Sequence, residues 1–191
     1  MWYPDWEKFI DTFLDQNQKI NLSAIRTPED VYTKHILDSL ELNSIFKFEE
    51  GSSVIDIGTW WGFPLLPLAI TNPLTNFIGL DSVNKKLTAI KNMSDELQIK
   101  NIKLIWSRAE QHNLQYDYLT ARAVWYIDVL IKFWFHLVKK WWFFIFYKMF
   151  SEEEHNDIQK ICKYKRLNIF KIHKYTLWGS DIQRVIYILK K

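Results

Sequence analysis

Glycine is scarce in this chain, with 5 in 191 residues against an ordinary share of about 7%. The spacing Gly-x-Gly-x-x-Gly is absent, which argues against a nicotinamide-dependent oxidoreductase. There is one cysteine, Cys162, so no internal disulfide can form, and a buried or idle thiol in a reducing compartment is expected. The N-terminus lacks the charged-then-apolar pattern of a secretory signal. The greasiest stretch, Val129 to Tyr147, is broken by Lys132, His136, Lys139 and Lys140, so no membrane span is expected. No repeat or low-complexity segment and no metal site is read. These absences leave a cytoplasmic, monomeric globular protein as the expectation. Its net charge of +3 permits a nucleic-acid partner without demanding one. What is abundant is tryptophan, with 10 residues.

The first fifty residues read as helical. Trp6, Phe9, Ile10, Phe13 and Leu14 form one apolar face between Asp5 and Gln16. Asn21 to Ile25 reads as a turn or extended piece, and Thr27-Pro28-Glu29-Asp30 as a helix start with Thr27 as N-cap. From residue 51 the pattern alternates. Strands are expected at Ser53–Ile57, Phe77–Asp81, Ile102–Ile105, Tyr116–Thr120, Phe143–Tyr147, Leu167–His173 and Val185–Leu189. Helices are expected at Pro64–Ile70, Asn84–Gln98, Ile127–Val138 and Ser151–Lys163, the last opened by a capping box. This predicts an α/β, Rossmann-like domain with a seven-stranded, mostly parallel sheet and an N-terminal helical extension. Residues 1–50 form the extension and 51–191 the core of one domain.

Ligands of such sheets bind at the carboxyl ends of the strands. There the chain carries Asp56-Ile57-Gly58-Thr59-Trp60-Trp61-Gly62-Phe63-Pro64, then Asp81, then Ser107-Arg108-Ala109-Glu110, then Ala121-Arg122-Ala123. Taken singly, Asp81 reads more readily as a helix cap than as a ribose ligand, and Glu110 and Arg122 as surface charges. Four such features at successive strand ends point together to a nucleoside-binding rim.

The stretches Asn21-Leu22-Ser23-Ala24-Ile25-Arg26, Lys34-His35-Ile36-Leu37-Asp38-Ser39-Leu40, Val54-Ile55-Asp56-Ile57-Gly58-Thr59, Gly62-Phe63-Pro64, Leu80-Asp81-Ser82, Ser107-Arg108-Ala109-Glu110 and Arg122-Ala123-Val124, with Lys85-Lys86 and Lys148, cover nearly the whole chain. In this order they resemble the glucose-inhibited division B family, the 16S rRNA (guanine-N7) methyltransferases. The resemblance implies S-adenosyl-L-methionine as cofactor, held by Gly58, Phe63, Asp81, Ala109, Glu110 and Arg122. It implies 16S rRNA or the small ribosomal subunit as partner, with the target guanine (guanine 527) in the 530 loop. Arg122 and Lys148 become candidates for positioning substrate or cofactor, and Arg26, Lys34 and His35 for the RNA-facing surface. His35 reads equally as a hydrogen-bonded structural histidine, and Asp38 as a cap or inter-helix bond. No general base is required.

The chain departs from the family pattern where that pattern has glycine. Trp60 replaces a glycine and Trp61 a small residue; Lys139-Lys140-Trp141-Trp142 replaces a segment with a glycine pair; Leu65 and Met149 replace further glycines. Trp60, Trp141 and Trp142 read as glycine positions whose codon, UGA, some bacterial lineages decode as glycine. Together the tryptophans and glycines come to roughly the ordinary glycine share. Trp2, Trp125, Trp134 and Trp178 are further candidates, while Trp6 and Trp106 read as genuine. If the indoles are real, the alternative is a catalytically impaired RNA- or ribosome-binding protein on a methyltransferase scaffold.

Overall fold

The computed structural model describes residues 5–20, 23–122 and 126–191. Asn21 and Leu22 of the expected turn, the Ala123-Val124 part of the fourth motif, and Trp2 and Trp125 lie outside them. Helix α1 (Trp6–Ile20) runs a turn beyond the apolar pattern. The extension is anchored by the buried Asn17, whose amide donates to the carbonyls of Ser23 (3.3 Å) and Ile25 (2.7 Å) and whose oxygen accepts from Ser23 N. Helix α2 (Pro28–Val31) starts as read, with Thr27 accepting from Asp30 N. It continues through a π-helical turn, Tyr32–Leu37, into α3 (Asp38–Ile45). Such widened turns are frequent at functional sites.

The sheet has seven strands: β1 (Ser53–Ile57), β2 (Asn76–Asp81), β3 (Ile102–Trp106), β4 (Tyr116–Arg122), β5 (Val138–Met149), β6 (Asn168–Thr176) and β7 (Gln183–Lys190). Their order is β3-β2-β1-β4-β5-β7-β6. Strands β1 to β5 are parallel, and β7 runs antiparallel between β5 and β6. Helices α4 (Leu65–Thr71) and α5 (Asn84–Glu96) join α1–α3 over one face, where Phe9, Ile36, Leu66 and Ile90 are buried. The other face packs on α6 (Ile127–Trp134) and α7 (Glu152–Lys165) through Ile131, Ile158 and Ile161. The alternation of side chains sends Ile55 and Ile57 to that second face, and Val54 and Asp56 to the first.

Two boundaries differ from the sequence reading. The helix expected to Val138 ends in a tight turn, Phe135–Leu137, and β5 begins at Val138. Pairing with β4 jumps from Tyr116↔Val138 to Tyr118↔Phe143, so Lys139 to Trp142 bulge out of the ladder. The expected capping box of α7 is half made. Ser151 accepts from Glu154 N, but the Glu154 carboxylate instead accepts from Ile127 N (3.1 Å) and pairs with Lys148 (2.9 Å). It caps α6 rather than its own helix.

Trp141 lies in the bulge with φ 76°, the left-handed region, and its side chain is 66% exposed. Trp142 has ordinary backbone and packs edge-on against Tyr118 at 5.0 Å. Only the first is thus a glycine position by conformation. Trp134 is buried in the core, so a glycine there would leave a cavity. We expect Trp141→Gly to stabilise the fold by about 1 kcal/mol, by relieving the β-carbon clash. Trp142→Gly should cost about 3 kcal/mol through lost burial. Urea denaturation of the two variants checks the contrast.

Candidate active site at the carboxyl rim of the sheet

Strand β1 ends beside β2, and Gly58 N donates to Leu80 O at 2.9 Å. The loop after Ile57 and Asp81 are therefore neighbours on one rim. Gly58 (φ 65°) and Gly62 (φ 86°) both occupy left-handed backbone, and a β-carbon on Gly62 would meet Leu66 Cδ1 at 2.5 Å. Trp60 stands between them at φ 48°, 52% exposed. Asp81 is buried; one oxygen accepts from Val83 N (2.8 Å) and the other lies 4.0 Å from Lys86 Nζ. The Lys86 ammonium also faces the rings of Trp60 (5.4 Å) and Trp61 (5.5 Å). After β3, Ala109 is buried and Glu110 exposed.

Arg122, at the end of β4, is drawn into a buried network with the N-terminal helices. Asp38, 2% exposed, accepts from Arg122 Nη1 (3.0 Å), from Arg184 Nε and Nη2 (3.0 and 2.9 Å) and from the Tyr175 hydroxyl (2.7 Å). Arg122 Nη2 lies 2.9 Å from His35 Nδ1. The His35 ring stacks on Phe63 with centroids 4.5 Å apart, and the Arg122 guanidinium sits 5.5 Å from the same ring. Tyr147, fully buried, donates to Ser39 O at 2.8 Å. The segment Lys34 to Ser39 is thereby tied to β4, β5, β6 and β7. Arg184 and Tyr175 carry no motif, and the sequence reading missed both.

Burial pulls the protonation of His35 down, with the Arg122 charge adding to the effect, to about 3. Burial pushes Asp56 up to about 7. For Asp38, burial works upward, but Arg122 and Arg184 prevail and hold it below the ordinary carboxylate value. The His35 shift has a definite sign. The unfolded chain takes up a proton near pH 6.5 that the folded chain refuses, so this group's share of stability is lost as pH falls from about 6.5 toward 3. The stability gap between the parent and His35→Asn is expected to shift by about 1.4 kcal/mol per pH unit between pH 4 and 6, against the parent as pH falls. A gap independent of pH contradicts a buried neutral histidine.

Ser23, Ala24, His35, Trp60, Trp61, Phe63, Lys86 and Arg122 line a cavity of about 410 Å³ at this rim. Of the residues read as cofactor-binding, Phe63 and Arg122 line it, whereas Gly58, Asp81, Ala109 and Glu110 lie outside its lining. A recess of about 480 Å³ beside Asp5, Ala69 and Leu97 is at the opposite rim, away from the strand ends. Lys34 pairs with Asp30 (2.7 Å) on the surface, Arg26 folds back onto the carbonyls of Ser23 and Ile25, and Lys148 pairs with Glu154. Among the described residues no metal-ligand cluster occurs, and no helix is long and apolar enough to cross a membrane.

Known proteins resemble this chain in fold and in sequence. An Aquifex aeolicus SAM-dependent methyltransferase superposes with a TM-score of 0.66 at 13% identity, covering 92% of this chain and 97% of that one. The M. jannaschii protein TYW2, solved in complex with AdoMet, gives 0.66 at 12% identity over 82% and 74%. These likenesses are of fold. The ribosomal RNA small subunit methyltransferase G of Lysinibacillus sphaericus is 32% identical over 97% of this chain and 81% of its own length. Its counterpart in Alkaliphilus metalliredigens is 36% identical over 96% and 80%. The family model GidB, described as rRNA small subunit methyltransferase G, matches residues 3–179. The chain belongs to this family.

Proposed function

We propose that the protein transfers a methyl group from S-adenosylmethionine to N7 of a guanine in 16S rRNA, in the 530 loop by family resemblance. The observation that carries this reading is the rim itself: a left-handed glycine turn after β1 beside the buried carboxylate of Asp81. The residues fit the cofactor. Gly58 leaves the backbone after β1 without a side chain, and the Asp56 carboxylate, held by the hydroxyls of Thr120 and Thr59, is buried beneath the turn. Asp81 would accept from the ribose hydroxyls, with Ala109 and Glu110 at the adenine edge and Phe63 and Arg122 on the far side. S-adenosylmethionine supplies an electrophilic methyl group on a sulfonium when bound.

Guanine N7 has an exposed lone pair and carries no proton. The protein therefore needs no general base, and its contribution is to hold the base in line for attack. Arg122, locked by Asp38 and His35, is the positioning residue this geometry favours. Lys148, neutralised by Glu154, acts on the shape of the rim through α6. Arg26 and Lys34 would meet phosphates, so RNA affinity should fall steeply between 50 and 200 mM salt. The reading is tested by incubating unmethylated small-subunit RNA with labelled cofactor and cleaving at N7-methylguanine. One break in the 530 loop is expected; label at another atom or in no RNA contradicts it.

A non-catalytic RNA-binding role on the same scaffold is favoured by one observation, the indoles of Trp60 and Trp61 in the cavity lining. A chain that binds this RNA yet fails to bind cofactor supports that second reading.

A further inference from the structure

Near the β1 end, His35 Nε2 is a buried polar atom with no hydrogen-bond partner among the described residues. Its chemistry is fixed by its neighbour. A guanidinium only donates, so Arg122 Nη2, 2.9 Å from His35 Nδ1, makes Nδ1 the acceptor and puts the proton on Nε2. The ring cannot easily turn, since it lies flat on Phe63 at 24° and edge-on to Phe13 at 5.8 Å. An orphaned buried donor is unfavourable in the free protein and wants a ligand acceptor. His35 lines the same cavity as Phe63 and Arg122, where the reaction is placed.

We propose that His35 selects the target base, its Nε2–H donating to the carbonyl oxygen next to the nitrogen that is methylated. This rests on the guanine-N7 reading above. Guanine presents N7 and O6 side by side as acceptors, whereas adenine presents an amino donor at the same place. A donor facing a donor leaves both unsatisfied, so the contact admits guanine and refuses adenine. Charge argues the same way. Methylation at N7 leaves the base cationic, and a neutral imidazole receives that product without the repulsion an imidazolium would add. The depressed protonation of His35 keeps it neutral throughout the neutral range, and Asp38 is shared alongside by Arg122 and Arg184.

The test compares RNA carrying guanine at the target with RNA carrying 2-aminopurine, which keeps N7 and lacks O6. His35→Asn keeps an acceptor for Arg122 and removes the far donor; His35→Gln restores an N–H near the Nε2 position. The parent is expected to prefer guanine about tenfold in kcat/KM and in RNA Kd. His35→Asn should lose about tenfold on guanine and nothing further on 2-aminopurine, and His35→Gln should recover part of the preference. Cofactor Kd by calorimetry should stay the same in all three. A preference intact in His35→Asn overturns the proposal, as does weaker cofactor binding with base preference unchanged, which would assign Nε2 to the cofactor carboxylate. Methyl transfer by the parent to an atom other than N7 removes the underlying reading, and this proposal with it.

Discussion

Replacing Asp38 with alanine is expected to cost the folded state about 3–5 kcal/mol, the loss that follows when one partner of a buried ion pair is removed. Asp38 is the carboxylate that the buried guanidiniums of Arg122 and Arg184 share, and each arginine side chain is 11% exposed. Without it the two cations face each other out of water, and the Tyr175 hydroxyl loses its acceptor. Asp38→Asn should cost less, because one oxygen can still accept. Since Asp38 is held below the usual carboxylate value, its contribution is full at neutral pH. It is lost only as pH falls through and below that range. Urea denaturation at pH 7 measures the effect, and a loss under about 1 kcal/mol would mean that the network does not hold the helices to the sheet.

The second large effect is expected from Trp60→Gly. At φ 48° a β-carbon costs about 1–2 kcal/mol relative to relaxed backbone, and the indole lines the cavity beside Trp61. The variant should be more stable by about 1 kcal/mol and should bind S-adenosylmethionine about tenfold more tightly or better. Trp61→Gly should differ, because Trp61 has ordinary backbone and packs against the core. It should open the cavity and lower stability, and calorimetry with denaturation separates the two positions. The left-handed backbone at Trp60 and Trp141 favours glycine there whatever their codons are. UGG codons there would end the decoding explanation and leave the mutational expectation in place.

The parallel strands were legible because buried β-rich runs such as Val54–Ile57 and Phe77–Leu80 are bounded by turn residues. The rim was legible because topology forces chemistry to the strand ends. The capping role of Glu154 was not, because its target, Ile127 N, lies 27 residues away. Nor was the bulge at Lys139 to Trp142, where apolar and basic residues read as a helix-to-strand junction while the register shift is set by β4. The Asp38 network was invisible for the same reason. Arg184 and Tyr175 meet Asp38 only after β6 and β7 add to the sheet. Equally hidden was the conformational split between adjacent tryptophans. Composition marks Trp141 and Trp142 alike, and only the fold gives one a positive φ and packs the other, half-buried, against the core.

The most direct test is titration of S-adenosylmethionine into the chain, in its present loop sequence and as Trp60→Gly, each with and without Asp81→Asn. The exchange keeps an acceptor for Val83 N and removes the carboxylate's capacity for two hydroxyls. A tenfold or larger loss of affinity on Asp81→Asn is the predicted result. Undiminished affinity would place the adenosyl group somewhere other than the ends of β1 and β2.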